Sequence, residues 1–151
     1  MSTTKACRAR LHELIQEWFA APDPAYAVPI AATNIIGYFT TPKERSASPN
    51  WIIVHTIHTS SQSFTLGGAE QPALFGILLA SRLSKGDDAE LSRELAEAWL
   101  DDAEEMLLTL LTETDEELWN DIIISSAPQR DADPILRGLF RSSHLLIEME
   151  K

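Results

Sequence analysis

The feature that most restricts the fold is one long amphipathic helix carrying most of the chain's charge. From about Asp88 to Leu111, the apolar residues Leu91, Leu95, Trp99, Ala103, Met106, Leu107 and Leu110 recur at helical spacing and predict a single buried stripe. Asp87 and Glu90 stand at capping-box spacing at its start, with Asp in place of the usual Ser or Thr. Glu94, Glu97, Asp101, Asp102, Glu104 and Glu105 cover much of the remaining surface. Between Asp87 and Asp121 lie fourteen acidic residues and one basic residue, Arg93; that balance of −13 exceeds the −11 of the whole chain. A helix with one apolar stripe needs a broad apolar surface to lie on. Strands must supply it.

Candidate strands flank the helix on both sides. Trp51–His58 is apolar on both faces and predicts a central strand. Ala73–Ser84 fits strand or helix by periodicity, and Gly76 within it favours the strand. Asp121–Ser126 and Gly138–Glu150 predict two more strands. In the last, Leu145, Ile147 and Met149 share one face, and His144, Glu148 and Glu150 share the other with Leu146. Ahead of these, Lys5–Ala20 predicts a helix, capped by Thr3 or Thr4, with Leu11, Leu14, Ile15, Trp18 and Phe19 on one stripe. Pro22 and Pro24 end it, and Tyr26–Thr41 reads as extended. Pro42–Asn50 and Thr59–Pro72 are long connections, the second with a possible strand at Phe64–Leu66 before a Gly67-Gly68 turn. The expected fold class is α+β: a mostly antiparallel sheet packed against an N-terminal helix and one long acidic helix. The 151 residues form one domain, 1–151, with no repeat or linker to divide it.

Composition narrows the function classes. The net charge of −11 opposes nucleic-acid binding, which needs clustered Lys and Arg. No run of about 18 apolar residues suggests a membrane span, and no apolar stretch at the start reads as a secretory signal. A lone cysteine, Cys7, is expected as a small buried hydrophobe and leaves no internal disulfide to form. Cytoplasmic folding is expected.

Catalytic and metal chemistry find no constellation. His55 and His58 are three apart on a predicted strand and project to opposite faces, while His12 and His144 are distant in sequence. No catalytic, cofactor-binding or metal-binding residue is therefore assigned, and folding is expected to need no metal. Adjacent acids such as Asp101-Asp102 and Glu104-Glu105 point outward from a helix; they do not converge on a pocket as general acid/base work requires. Gly67-Gly68 lacks the surrounding pattern of a phosphate-binding loop. The expectation is a protein that is not an enzyme and acts through assembly.

The order of elements, with particular segments, resembles the tail terminator proteins of long-tailed bacteriophages, the lambda-type minor tail protein family. The segments are Leu11-His-Glu-Leu-Ile-Gln-Glu-Trp18, Pro29-Ile-Ala-Ala-Thr-Asn-Ile-Ile36, Leu95-Ala-Glu-Ala-Trp-Leu100 and Gly138-Leu-Phe-Arg-Ser-Ser-His-Leu-Leu-Ile-Glu-Met-Glu150. The resemblance implies a structural subunit of a six-membered ring at the head-proximal end of the tail tube. That ring stops tube growth and joins the tail to the head connector. Its implied partners are other copies of itself, the tail tube protein and a connector or neck protein. Its implied location is the tail–neck junction of the virion, after assembly in the host cytoplasm. Another neck or head–tail joining protein is the alternative in the same setting; an acidic ligand-binding or adaptor domain is the alternative outside it.

A ring subunit must meet neighbours through two different surfaces. The long connections are the expected partner-contact elements, with Phe64 and Leu66 as candidate contacts. The Glu94–Glu105 surface is expected either to form an outer wall or to meet basic groups such as Arg8, Arg10, Lys43 or Arg45 of an adjacent copy.

Overall fold

A computed structural model describes residues 4–20, 28–43, 48–57, 73–84, 89–113, 121–124 and 127–150. Its elements, in chain order, are α1 (Thr4–Ala20), a 3-10 turn (Ala32–Asn34), β1 (Ile35–Ile36), β2 (Asn50–Thr56), β3 (Ala73–Arg82), α2 (Ala89–Glu113), β4 (Asp121–Ile124), β5 (Gln129–Arg130) and β6 (Phe140–Glu150). The six strands form one mixed sheet in the order β1-β2-β3-β6-β4, with β5 pairing β6 alongside β4. Only β1–β2 is parallel; the other pairings are antiparallel. This is the expected α+β class. The candidate contacts Phe64 and Leu66, the Gly67-Gly68 turn, Arg45 and His58 lie outside the described residues.

The ambiguity over residues 73–84 resolves as a strand because β3 is held on both sides. Its residues pair with all seven of β2 and, from Ala73 to Arg82, with Met149 to Phe140 of β6. Strand alternation then sorts the side chains. Ile52, Val54, Phe75, Ile77, Leu79, Leu145, Ile147 and Met149 point to one face and are buried there beneath α1 and α2. Cys7, Leu11, Leu14, Ile15 and Phe19 of α1 meet this face, with Trp18 partly buried beside them. Cys7 is wholly buried, as expected of a small hydrophobe.

The buried stripe of α2 is shifted from the expected one. Ala96, Trp99, Leu100, Ala103, Met106, Leu107, Leu110 and Leu111 are buried, whereas Leu91 and Leu95 are 55% and 62% exposed. The expected stripe ran to the helix start, but Leu91 and Leu95 instead line an open hollow with Pro29, Pro49, Arg82 and Trp99. Leu100 and Leu111 take part instead.

The second sheet face is covered differently. Trp51 and Ala80 form a smaller cluster with Leu136 and Phe140, joined by Ile36, Leu78 and Leu139. The covering segment runs from Asp131 to Leu139. It begins with Asp131 in the left-handed region (φ 52°), a conformation Asp tolerates better than most residues. There Asp131 exchanges backbone and side-chain hydrogen bonds with Ser142: its N–H donates to the Ser142 carbonyl at 2.9 Å, and its Oδ1 accepts from the Ser142 N–H at 3.1 Å. The stretch between β4 and β6 thus contains β5 and a lid over part of the outer face.

Trp99 also makes a directional contact. Its indole N–H donates to the Pro29 carbonyl at 2.8 Å, so both packing and a hydrogen bond are lost on truncation. Trp99→Ala is expected to cost about 3–5 kcal/mol in urea unfolding, while Leu95→Ala stays within about 0.5 kcal/mol of the parent. Equal effects for the two variants would contradict this placement of α2.

Candidate functional site

Beyond the lid, the outer sheet face carries polar side chains that the fold brings together. On β2, His55 lies opposite Gly76 of β3; on β6, His144 lies opposite Leu78. Both side chains share the outer face with Ile53 and Ser142. The two imidazoles approach each other over Gly76, with Nε2 to Nε2 at 3.3 Å and ring centroids at 5.5 Å. The difference between these lengths is about two ring radii, and the planes differ by 19°. The rings therefore meet edge to edge, one nitrogen toward the other.

Gly76 makes this meeting possible. A Cβ at that position would stand 2.5 Å from His55 Nε2 and 2.7 Å from His144 Nε2. A glycine inside a strand often marks such a close approach. Phe39, 75% exposed, packs edge-on against His55 at 5.5 Å between centroids. With Thr40, Asp133 and Ser142 these residues line a cavity of about 240 Å³. Burial lowers the pKa of both imidazoles. For His55 the neighbouring His144 adds to that lowering, and a backbone bond from Thr56 partly opposes it. For His144 the Asp133 carboxylate works against the burial. Sequence distance hid this pair, since 89 positions separate its members. The glycine in an otherwise apolar strand was the one signal that pointed to it.

The two sides of the sheet differ in charge. On the β1 side, Lys5, Arg8 and His12 of α1 line an open groove with Ile36 and Tyr38, and His12 Nε2 bonds the Ile35 carbonyl at 2.8 Å. A second hollow nearby is lined by Tyr38, Thr40, Lys43 and Trp51. The Trp51 indole N–H is buried and meets no acceptor among the described residues. On the opposite side, Asp101, Glu104, Glu105 and Glu113 line a groove along α2 with Leu108, while Ile123 and Ile124 of β4 are exposed on the sheet edge.

Part of the acidic helix is neutralised within the chain. Arg130 of β5 donates to Glu104 at 2.6 Å and to Asp101 at 2.6 Å, and Arg141 of β6 approaches Glu97 at 2.9 Å. The Glu104 bond raises the Arg130 pKa further, with Asp101 contributing. Ser143 donates to Glu104 at 2.5 Å. Of the basic residues expected to meet this surface from a neighbour, Arg10 pairs with Glu13 and Glu17 of its own helix, and Arg8 donates to Thr56 Oγ1. Lys43 is exposed. Comparison with protein-family profiles and with curated protein sequences finds no match.

The histidine pair gives stability a pH dependence. An unfolded chain takes up protons as pH falls through the ordinary imidazole value of 6.5, whereas the folded rings resist until lower pH. Their contribution is therefore complete above that value and is lost as pH falls through the folded pKa values. In metal-free buffer, the urea midpoint is expected to drop between about pH 7.5 and about pH 5.5, and His55→Gln/His144→Gln to show a smaller drop. Equal drops in parent and variant would assign the effect to other groups.

Proposed function

We propose that the chain is a tail terminator subunit, which closes the head-proximal end of a phage tail tube as a ring of identical copies and offers that ring to the head connector. The sequence resemblance motivates the reading. The observation that carries it is the pair of unlike lateral edges. A ring grows by heterologous contact, in which one surface of a copy meets a different surface of the next. Here the β1 side presents Tyr38, Phe39 and basic groups; the β4 side presents Ile123, Ile124 and the acidic groove.

Several physical terms favour joining these edges. Strand edges have backbone groups available for pairing. Apolar residues on both sides would leave water, and the unlike charges attract across the contact. The Trp51 N–H, buried without an acceptor among the described residues, would gain one. The like-charged face of α2 is a poor surface for contact with an identical copy, since burying unpaired carboxylates is expensive. It would face outward or toward a basic partner. The tube and connector would then meet the remaining surfaces, at the tail–neck junction.

Two edge variants test the scheme. Tyr38→Asp and Ile123→Asp, each confirmed as folded by circular dichroism, are expected to abolish ring formation in solution or on purified tail tubes. Mixed together they should form a dimer and stop, because each retains the edge the other has lost. A symmetric dimer of the parent chain, or rings from either variant alone, would overturn the heterologous scheme. Tails lacking the protein that stop at normal length and accept heads would overturn the terminator role itself.

A further inference from the structure

We propose that His55 and His144 form a binding site for a single divalent transition-metal ion on the outer face of the sheet, with zinc, nickel or copper as the class of ion. Two nitrogens bound to one tetrahedral zinc at about 2.0–2.1 Å stand roughly 3.3–3.4 Å apart. The His55 and His144 Nε2 atoms are 3.3 Å apart without any ion between them. Imidazole nitrogen is the donor such ions prefer.

The surroundings suit a ligand pair. Nε2 is the atom of each ring that is turned toward the other, so both candidate donor nitrogens border the same space. Gly76 puts no side chain beneath the nitrogens, and the cavity gives access from solvent. Among the described residues no three His, Cys, Asp or Glu side chains are grouped to hold a metal by themselves. The site is therefore a two-nitrogen one, completed by water. Asp133 lines the same cavity as the nearest acidic contributor, with its Oδ1 accepting from the Ile135 N–H.

The approach is edge to edge, so in the absence of an ion one ring donates N–H to the other. Binding requires the donor ring to carry its proton on Nδ1 instead and each ring to turn by roughly 35° toward the cavity, because an ion on the 3.3 Å line between the nitrogens would sit too close to both. No net proton is released from two neutral rings. The fold does not wait on the ion, because the β2–β3–β6 ladders place both histidines by backbone pairing.

The test is titration of the untagged full chain with zinc or nickel chloride, followed by calorimetry, with cobalt absorption as a spectroscopic check. Saturation at one ion per chain is expected. His55→Ala and His144→Ala should each weaken binding at least about tenfold, as loss of one of two nitrogens implies, and Gly76→Ala should weaken it by pushing the rings apart. His12→Ala should bind as the parent does. A variant that fails to fold by circular dichroism is replaced by its Gln counterpart, which keeps the side-chain bulk. No saturable binding by the parent, or binding that survives loss of either histidine, would overturn the site and leave the pair as a plain N–H···N hydrogen bond. Neither result bears on ring assembly, which the edge variants test separately.

Discussion

The strand β3 is the constraint on which the rest depends. Paired along both sides and buried over most of its length, it requires apolar cover above and below. The two covers have different origins. Helices α1 and α2 lie on one face and bury aliphatic side chains from β2, β3 and β6 in a single cluster. Among the described residues, the other face receives only the short lid from Asp131 to Leu139, whose Leu136 packs with Trp51, Ala80 and Phe140. Whatever lies beyond the lid must be tolerable to water. This is where the chain places His55 and His144, half-buried side chains with a polar tip, beside the buried Ile53.

A buried polar network secures the open side of the sheet. Asn34 donates to the Asn50 carbonyl at 3.0 Å, Asn50 donates to the Pro29 carbonyl at 3.0 Å, and Ser81 donates to Asn50 Oδ1 at 2.7 Å. Trp99 reaches the same Pro29 carbonyl from α2. A two-residue strand such as β1 has little pairing of its own. These bonds tie the segment before it to β2, β3 and α2, so the parallel edge is held by side chains as much as by backbone. Each member is satisfied by another, the condition under which buried polar groups specify a structure.

Legibility from the sequence followed the range of the interaction. Periodicity located α1, α2 and β6, because alternation and the helical repeat are local signals, while β2 was legible as a run apolar on both faces and β3 needed Gly76 to decide between strand and helix. Periodicity failed at Leu91 and Leu95, which obey the helical repeat but face an open hollow beside Pro29, Pro49 and the ends of β2 and β3; spacing says which residues share a stripe and nothing about whether the opposing surface closes over them. β5 and the 3-10 turn are too short to have a period. The histidine pair was hidden for a different reason. His55 and His144 are joined only through the registers of β2 on β3 and β3 on β6, and a one-residue slip in either would turn one ring to the other face. Along the chain His58 falls on the opposite face from His55 and His144 is 89 positions away, whereas the contact lies across the strands.

The charge of α2 is also set by register. Counted along the sequence, its acids form a block of one sign, and such a face is expected to be solvated. In the fold, two arginines from the end of the chain divide it. Arg130 bridges Asp101 and Glu104, and Arg141 holds Glu97 and Asp131 together. These pairs are partly exposed, so each contributes little to stability by itself. Their larger effect is on where the negative potential remains. Neutralisation falls on the side of α2 nearest β5 and β6, beside residues that are already committed to the sheet. The Glu113 end, from which the chain continues to β4, is left without either arginine, and Ile123 and Ile124 on the β4 edge are exposed. A basic surface approaching that edge would thus meet a field that the chain has left in place and apolar groups that it has left uncovered, while the rest of the helix attracts it less. Steering and burial then act at the same place, which is what a directional contact between unlike edges needs.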